Sequence, residues 1–145
     1  MTELAFLRLR PEAELPSVQH AGDAGLDLRS AVDVVVEPGE RVMIPTGVAV
    51  AIPEGHAGLV LPRSGLAARH GLTLANAPGL IDAGYRGEVM CATVNLDRET
   101  PVKVHVGDRI AQLVVVALPT VEPTWVDELP GTERGEGGFG STGTS

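Results

Sequence analysis

One residue in five of this 145-residue chain is a glycine or a proline, 18 of the first and 11 of the second, and that frequency rules out long helices. Proline removes a helical hydrogen bond, and glycine inside a helix costs about 1 kcal/mol relative to alanine. Between these breakers lie short apolar runs at 4–9, 32–36, 41–44, 48–52, 58–61, 88–95, 102–106 and 110–118. Their bulk is β-branched: valine supplies 19 residues, whereas the whole chain has four aromatics, so the strand faces are aliphatic. Turn signals such as Glu37-Pro38-Gly39-Glu40 and Pro53-Glu54-Gly55 separate the runs. At least eight strands are predicted, in an all-β sandwich or jelly roll. The exception is 64–70, where Ser64 is predicted to N-cap a short helix that Gly71 stops.

A formal charge of −8 argues against a nucleic-acid or anionic-membrane partner, since both require a basic face. The single cysteine, Cys91, excludes a disulfide framework and suits a reducing compartment, so a cytoplasmic location is expected. Arg8 and Arg10 break the N-terminal apolar stretch, and no uncharged run approaches the roughly twenty residues of a spanning helix. Length fits one domain. After Leu129 the composition shifts: 130–145 holds six glycines, three threonines and two serines around one aromatic, Phe139. This divides the chain into a β domain, 1–129, and a flexible glycine-rich arm, 130–145.

Several enzyme classes drop out. The one lysine, Lys103, precedes Val104, so the Gly-Lys-Ser/Thr phosphate loop is absent. His20, His56, His70 and His105 lack the spacing of a zinc protease, and no serine sits in a Gly-x-Ser-x-Gly elbow. Phosphate chemistry here would fall to arginine.

Five segments carry the remaining chemical signal. The first, Ala21-Gly22-Asp23-Ala24-Gly25-Leu26-Asp27-Leu28, places two carboxylates on a glycine-rich turn entering a strand, as for a hydrated Mg²⁺ or for simple Asx-turn bonding. Pro62-Arg63-Ser64-Gly65-Leu66 joins a cation and a hydroxyl at a helix start, a phosphate seat or an ordinary capped helix. The stretch 79–88 reads as a hairpin with Asp82 and the only tyrosine, Tyr85, at its bend. There the acid either deprotonates a water or caps a turn. In Gly107-Asp108-Arg109-Ile110-Ala111-Gln112, the two charges read as solvated, while Gln112 interrupts an apolar strand and needs polar partners. The last segment, from Arg134 to Gly143, holds Phe139 between glycines, which suits a clamp stacking on a base and bringing an arginine to a phosphate.

Together, in this order and across nearly the whole chain, these segments resemble the five motifs of the trimeric dUTPase family. The resemblance implies a jelly-roll-like subunit, a homotrimer with shared active sites, and Mg²⁺-assisted hydrolysis of dUTP to dUMP and pyrophosphate. It makes Asp82 the base for the water attacking the α-phosphorus, and Tyr85 the residue packed on the deoxyribose. It puts Asn76, Gly79, Ile81 and Met90 around the uracil, and Arg63, Ser64, Gly65 and Gln112 on the triphosphate. Asp27 would reach Mg²⁺ through water, Arg134 the γ-phosphate, and Phe139 the base, with Gly140, Ser141 and Thr142 adding arm contacts.

Overall fold

The computed structural model describes residues 2–140 and residue 143. Among these the chain forms eleven strands and one helix. The strands are β1 (Ala5–Arg8), β2 (Leu26–Arg29), β3 (Val34–Val36), β4 (Arg41–Pro45), β5 (Val48–Ala51), β6 (His56–Leu61), β7 (Leu72–Leu74), β8 (Gly79–Ile81), β9 (Met90–Asn95), β10 (Val102–Val104) and β11 (Arg109–Ala117), with α1 (Ser64–His70) between β6 and β7. The result is a jelly-roll-like β fold. A four-stranded sheet runs β2-β11-β6-β8 and a three-stranded one β4-β9-β7, with the pairs β1-β5 and β10-β3 completing the body. Every pairing is antiparallel.

The interior is aliphatic, as the valine count predicts. Leu28, Val36, Ile44, Val50, Leu72 and Leu113 are all buried in one cluster, each stabilising the fold by about 1.5–3 kcal/mol. Polar side chains are buried there as well, among them Ser30, Thr93 and Asn95. Asn95 is fully buried, and its amide donates to the Val36 and Thr100 carbonyls at 3.0 Å each while its Oδ1 accepts the Asp97 N–H at 2.9 Å. Each polar atom is thereby satisfied, which removes the desolvation penalty of an unpaired amide.

Two local expectations need correction. Ser64 is not the helix cap but its first residue; Arg63 holds the cap position in an extended conformation, without a side-chain cap bond. Its guanidinium is instead drawn toward Asp27, with Nε 3.4 Å from Oδ1. The helix does end at Gly71, whose φ of 71° is left-handed and whose N–H reaches the Ala67 carbonyl. Nor is 79–88 a paired hairpin. β8 bonds to β6, whereas β9 lies between β4 and β7, because the Val89 N–H is taken by the Val48 carbonyl at 2.8 Å. The 82–89 loop therefore crosses from one sheet to another.

After β11 the chain leaves the body. The Leu118 N–H bonds to the Gly55 carbonyl at 2.8 Å, and from there to 136 every residue is exposed. The bonds farther on are internal to this stretch, such as Arg134 Nε to the Gly137 carbonyl at 2.6 Å.

Candidate active site

The sequence-predicted residues fall into three groups on one chain. The first group surrounds a cavity of about 180 Å³, lined by Asn76, Gly79, Ile81, Asp82, Tyr85 and Met90 together with Leu80, Glu88, Val89 and Cys91. β8 supplies its floor on one side and β9 on the other, so the loop carrying Asp82 and Tyr85 arches over the gap between sheets. The Tyr85 N–H closes a turn onto the Asp82 carbonyl at 3.0 Å. Asp82 is exposed, so its carboxylate is free to meet a water. Gly79 permits close approach: a Cβ there would lie 3.3 Å from Asn76 Nδ2 and 3.4 Å from the Val60 Cβ. Burial pushes the Cys91 thiol up to about 12, which leaves the cavity floor neutral and unreactive.

The second group surrounds a cavity of about 340 Å³ lined by Asp27, Arg63, Ser64, Gly65 and Gln112, with Gln19, Asp23, Gly25 and Arg109. Asp27 is nearly buried and stands between two guanidinium groups, Arg63 Nε at 3.4 Å and Arg109 Nη1 at 3.5 Å. Gln112 donates from Nε2 to the Pro62 carbonyl at 3.0 Å. Asp23, on the cavity wall, accepts the His20 N–H at 2.8 Å, a local side-chain-to-backbone bond.

Arg109 is the residue that sequence reasoning missed, having read it as solvated. Residues three apart in a regular strand face opposite sides, yet Arg109 and Gln112 share this cavity. The cause is a register shift between Arg109 and Ala111 in the pairing of β11 with β2, which adds one residue and re-aims the arginine. Gln19 then bonds to Arg109 and fixes it. Gly107 before the strand was the available signal of an irregular strand start.

The third group, Arg134, Phe139 and Gly140, lines neither cavity, and Phe139 is fully exposed. Ser141 and Thr142 lie outside the described residues.

The donor set bears on Mg²⁺. Among the described residues no three His, Cys, Asp or Glu side chains converge to cage a metal, and Asp27 is already paired with two arginines. That arrangement is no protein-built cage and fits only an ion whose remaining ligands come from elsewhere.

The β fold thus offers a narrow cleft with an acid and a tyrosine and, sharing no lining residue with it, a cavity with two arginines. Comparison with known proteins identifies the class. The dUTPase family model matches residues 11–143, and the chain belongs to that family. It is 58% identical to the deoxyuridine 5'-triphosphate nucleotidohydrolase of Mycolicibacterium gilvum, over 98% of this chain and 96% of that one. A mutant of the Staphylococcus bacteriophage 80alpha dUTPase, solved with dUpNHpp, superposes with a TM-score of 0.92 at 34% identity, covering 99% of this chain and 100% of its own. A mutant dUTPase from phage phi11 of S. aureus, described for its coordination of a structural Mg(II) ion, matches with a TM-score of 0.83 at 32% identity, over 90% of this chain and 100% of its own. No helix among the described residues is long and apolar enough to cross a membrane.

Proposed function

We propose that this dUTPase-family hydrolase converts dUTP to dUMP and pyrophosphate in a site that several copies of the chain complete together. The observation that carries the reading is the separation of the three residue groups. The acid and tyrosine lie in one cavity, the arginines and Gln112 in another that shares no lining residue with it, and the described residues of the arm line neither. A homotrimer lets one copy lend its nucleoside cleft, a second its phosphate cavity and a third its arm, so the chain's acidic surface need not bind a polyanion alone. The compartment consistent with an unpaired, buried Cys91 is the cytoplasm.

Asp82 takes the proton of a water as that water's oxygen bonds to the α-phosphorus, and the bond from that phosphorus to the bridging oxygen breaks, releasing pyrophosphate. Asn76 and the backbone of β8 and β9 hold the uracil, with Gly79, Ile81 and Met90 shaping the slot. Tyr85 packs on the deoxyribose and leaves no space for a 2′-hydroxyl. Arg63, Ser64, Gly65 and Gln112 hold phosphate oxygens, and Arg109 joins them. These groups supply positioning and charge neutralisation, which are the main demands of phosphoryl chemistry. Bound Mg²⁺, contacting Asp27 through water, would neutralise further phosphate charge. Arg134, Phe139, Gly140 and Ser141 of the arm, 130–145, would close over the bound nucleotide and exclude bulk water.

The test is pyrophosphate release from dUTP, dTTP, dCTP and UTP with Mg²⁺ supplied. Release from dUTP far above the other three supports the reading, and equal release from all four refutes it.

A further inference from the structure

A tightly built polar cluster stands behind Tyr85. The Tyr85 hydroxyl donates to the Glu88 carbonyl at 2.9 Å, which folds the ring back over Gly87, where a Cβ would come within 2.5 Å of the phenol oxygen. The ring itself is 45% exposed, so apolar packing does not hold it. Glu88 is in turn clamped from two directions. Arg10, 78 positions earlier, makes a two-point pair with its carboxylate at 2.8 and 3.2 Å, and the Gly47 N–H donates to the same group at 2.8 Å. Gly47 is held against Arg10: its carbonyl accepts the Leu9 N–H at 2.7 Å, and a Cβ on it would lie 3.2 Å from the Arg10 Cβ.

We infer that the Arg10–Glu88 pair is a positioning device that sets how far the Tyr85 ring reaches into the nucleoside cleft and thereby the discrimination between deoxyribose and ribose. The inference rests on the role proposed for Tyr85. Arg10 does not itself line the cleft; its effect passes through Glu88, whose carboxylate it pairs with and whose carbonyl receives the phenol. A paired guanidinium and carboxylate fix an angle as well as a distance, so the carbonyl that receives the phenol is held in one place. With the pair broken, the Glu88 carboxylate keeps only the Gly47 bond, the ring can retreat, and space opens where a 2′-hydroxyl would sit.

The experiment compares kcat/KM for dUTP and UTP in wild type, Arg10→Gln, Arg10→Lys, Glu88→Gln and the double variant Arg10→Gln/Glu88→Gln. The preference for dUTP is expected to narrow by on the order of tenfold in Arg10→Gln and in Glu88→Gln, through a gain on UTP, as a sub-ångström displacement produces in a site that selects by fit. Arg10→Lys should recover part of the preference, and the double variant should do no more than either single change, because the two groups act as a unit. Gly87→Ala provides an arm independent of the ion pair: its methyl group displaces the ring directly and should narrow the preference similarly. The ring resonances of the chain's one tyrosine should shift in every variant that narrows it. If the variants lose thermal stability yet keep the wild-type dUTP-to-UTP ratio, the pair is only structural and the inference falls. Wild-type protein that leaves dUTP intact would instead overturn the role assigned to Tyr85, and the inference with it.

Discussion

Gln112 and Gly25 fit so closely that a methyl group on Gly25 would lie 2.3 Å from the Gln112 Oε1 and 3.1 Å from its Cβ. The glycine is what lets a polar side chain stand upright in the cavity lined by Arg63 and Arg109. Gly25→Ala must push Gln112 aside and break its bond to the Pro62 carbonyl. A lost hydrogen bond of this kind costs about 1 kcal/mol, so the denaturation midpoint should fall only modestly. The KM for dUTP should rise several-fold, because the amide no longer reaches the triphosphate. Steady-state kinetics beside a denaturant titration separates the two effects; an unchanged KM would remove Gln112 from the phosphate contacts.

Removing 134–145 should leave the proposed homotrimer intact and abolish most turnover. The strands end at Ala117, and none of the described arm residues lines either cavity of its own chain, so the β body is expected to keep its fold. Losing a charged donor and the lid over a bound nucleotide should lower kcat/KM by on the order of 10²-fold or more. Light scattering with a pyrophosphate assay checks both halves. Full turnover in the truncated chain would contradict the clamp.

The Glu88 carboxyl is held below its ordinary value of 4.5, chiefly by the hydrogen bond from Arg10, then by the Gly47 N–H and the guanidinium charge, against desolvation. A group whose folded pKa is depressed adds stability that is complete above the unfolded pKa and disappears as pH falls through the folded one. Wild type should therefore exceed Glu88→Gln in stability by a constant margin at neutral pH, a margin that begins to shrink below about pH 4.5. Urea midpoints measured across that range test it, and a margin that grows on acidification would contradict the assignment.

The fold and the two cavities differ in how far the chain's order of residues reveals them. Valine runs cut by glycine and proline were enough for an all-β body, and only short strands such as β7, with three residues, lack the length to show alternation. Asp82, Tyr85, Arg63 and Gln112 stand out because each is chemically out of place in its segment. Arg109 does not: a charge after Gly107-Asp108 looks like turn solvation until the irregular pairing of β11 re-aims it. The Arg10–Glu88 pair is equally silent, since nothing local links residues 78 positions apart. The supposed cap Ser64 shows the converse, where local propensity points to one residue and the long-range pull of Asp27 on Arg63 shapes the helix start.

In the proposed mechanism Asp82 activates the attacking water while other groups bind the nucleotide. Its most direct test is Asp82→Asn, with calorimetry on a nonhydrolysable dUTP analogue and single-turnover hydrolysis of dUTP. Affinity close to wild type with hydrolysis lowered by roughly 10²–10⁴-fold is the predicted result. Lost affinity with an unchanged rate constant for the bound substrate would contradict it.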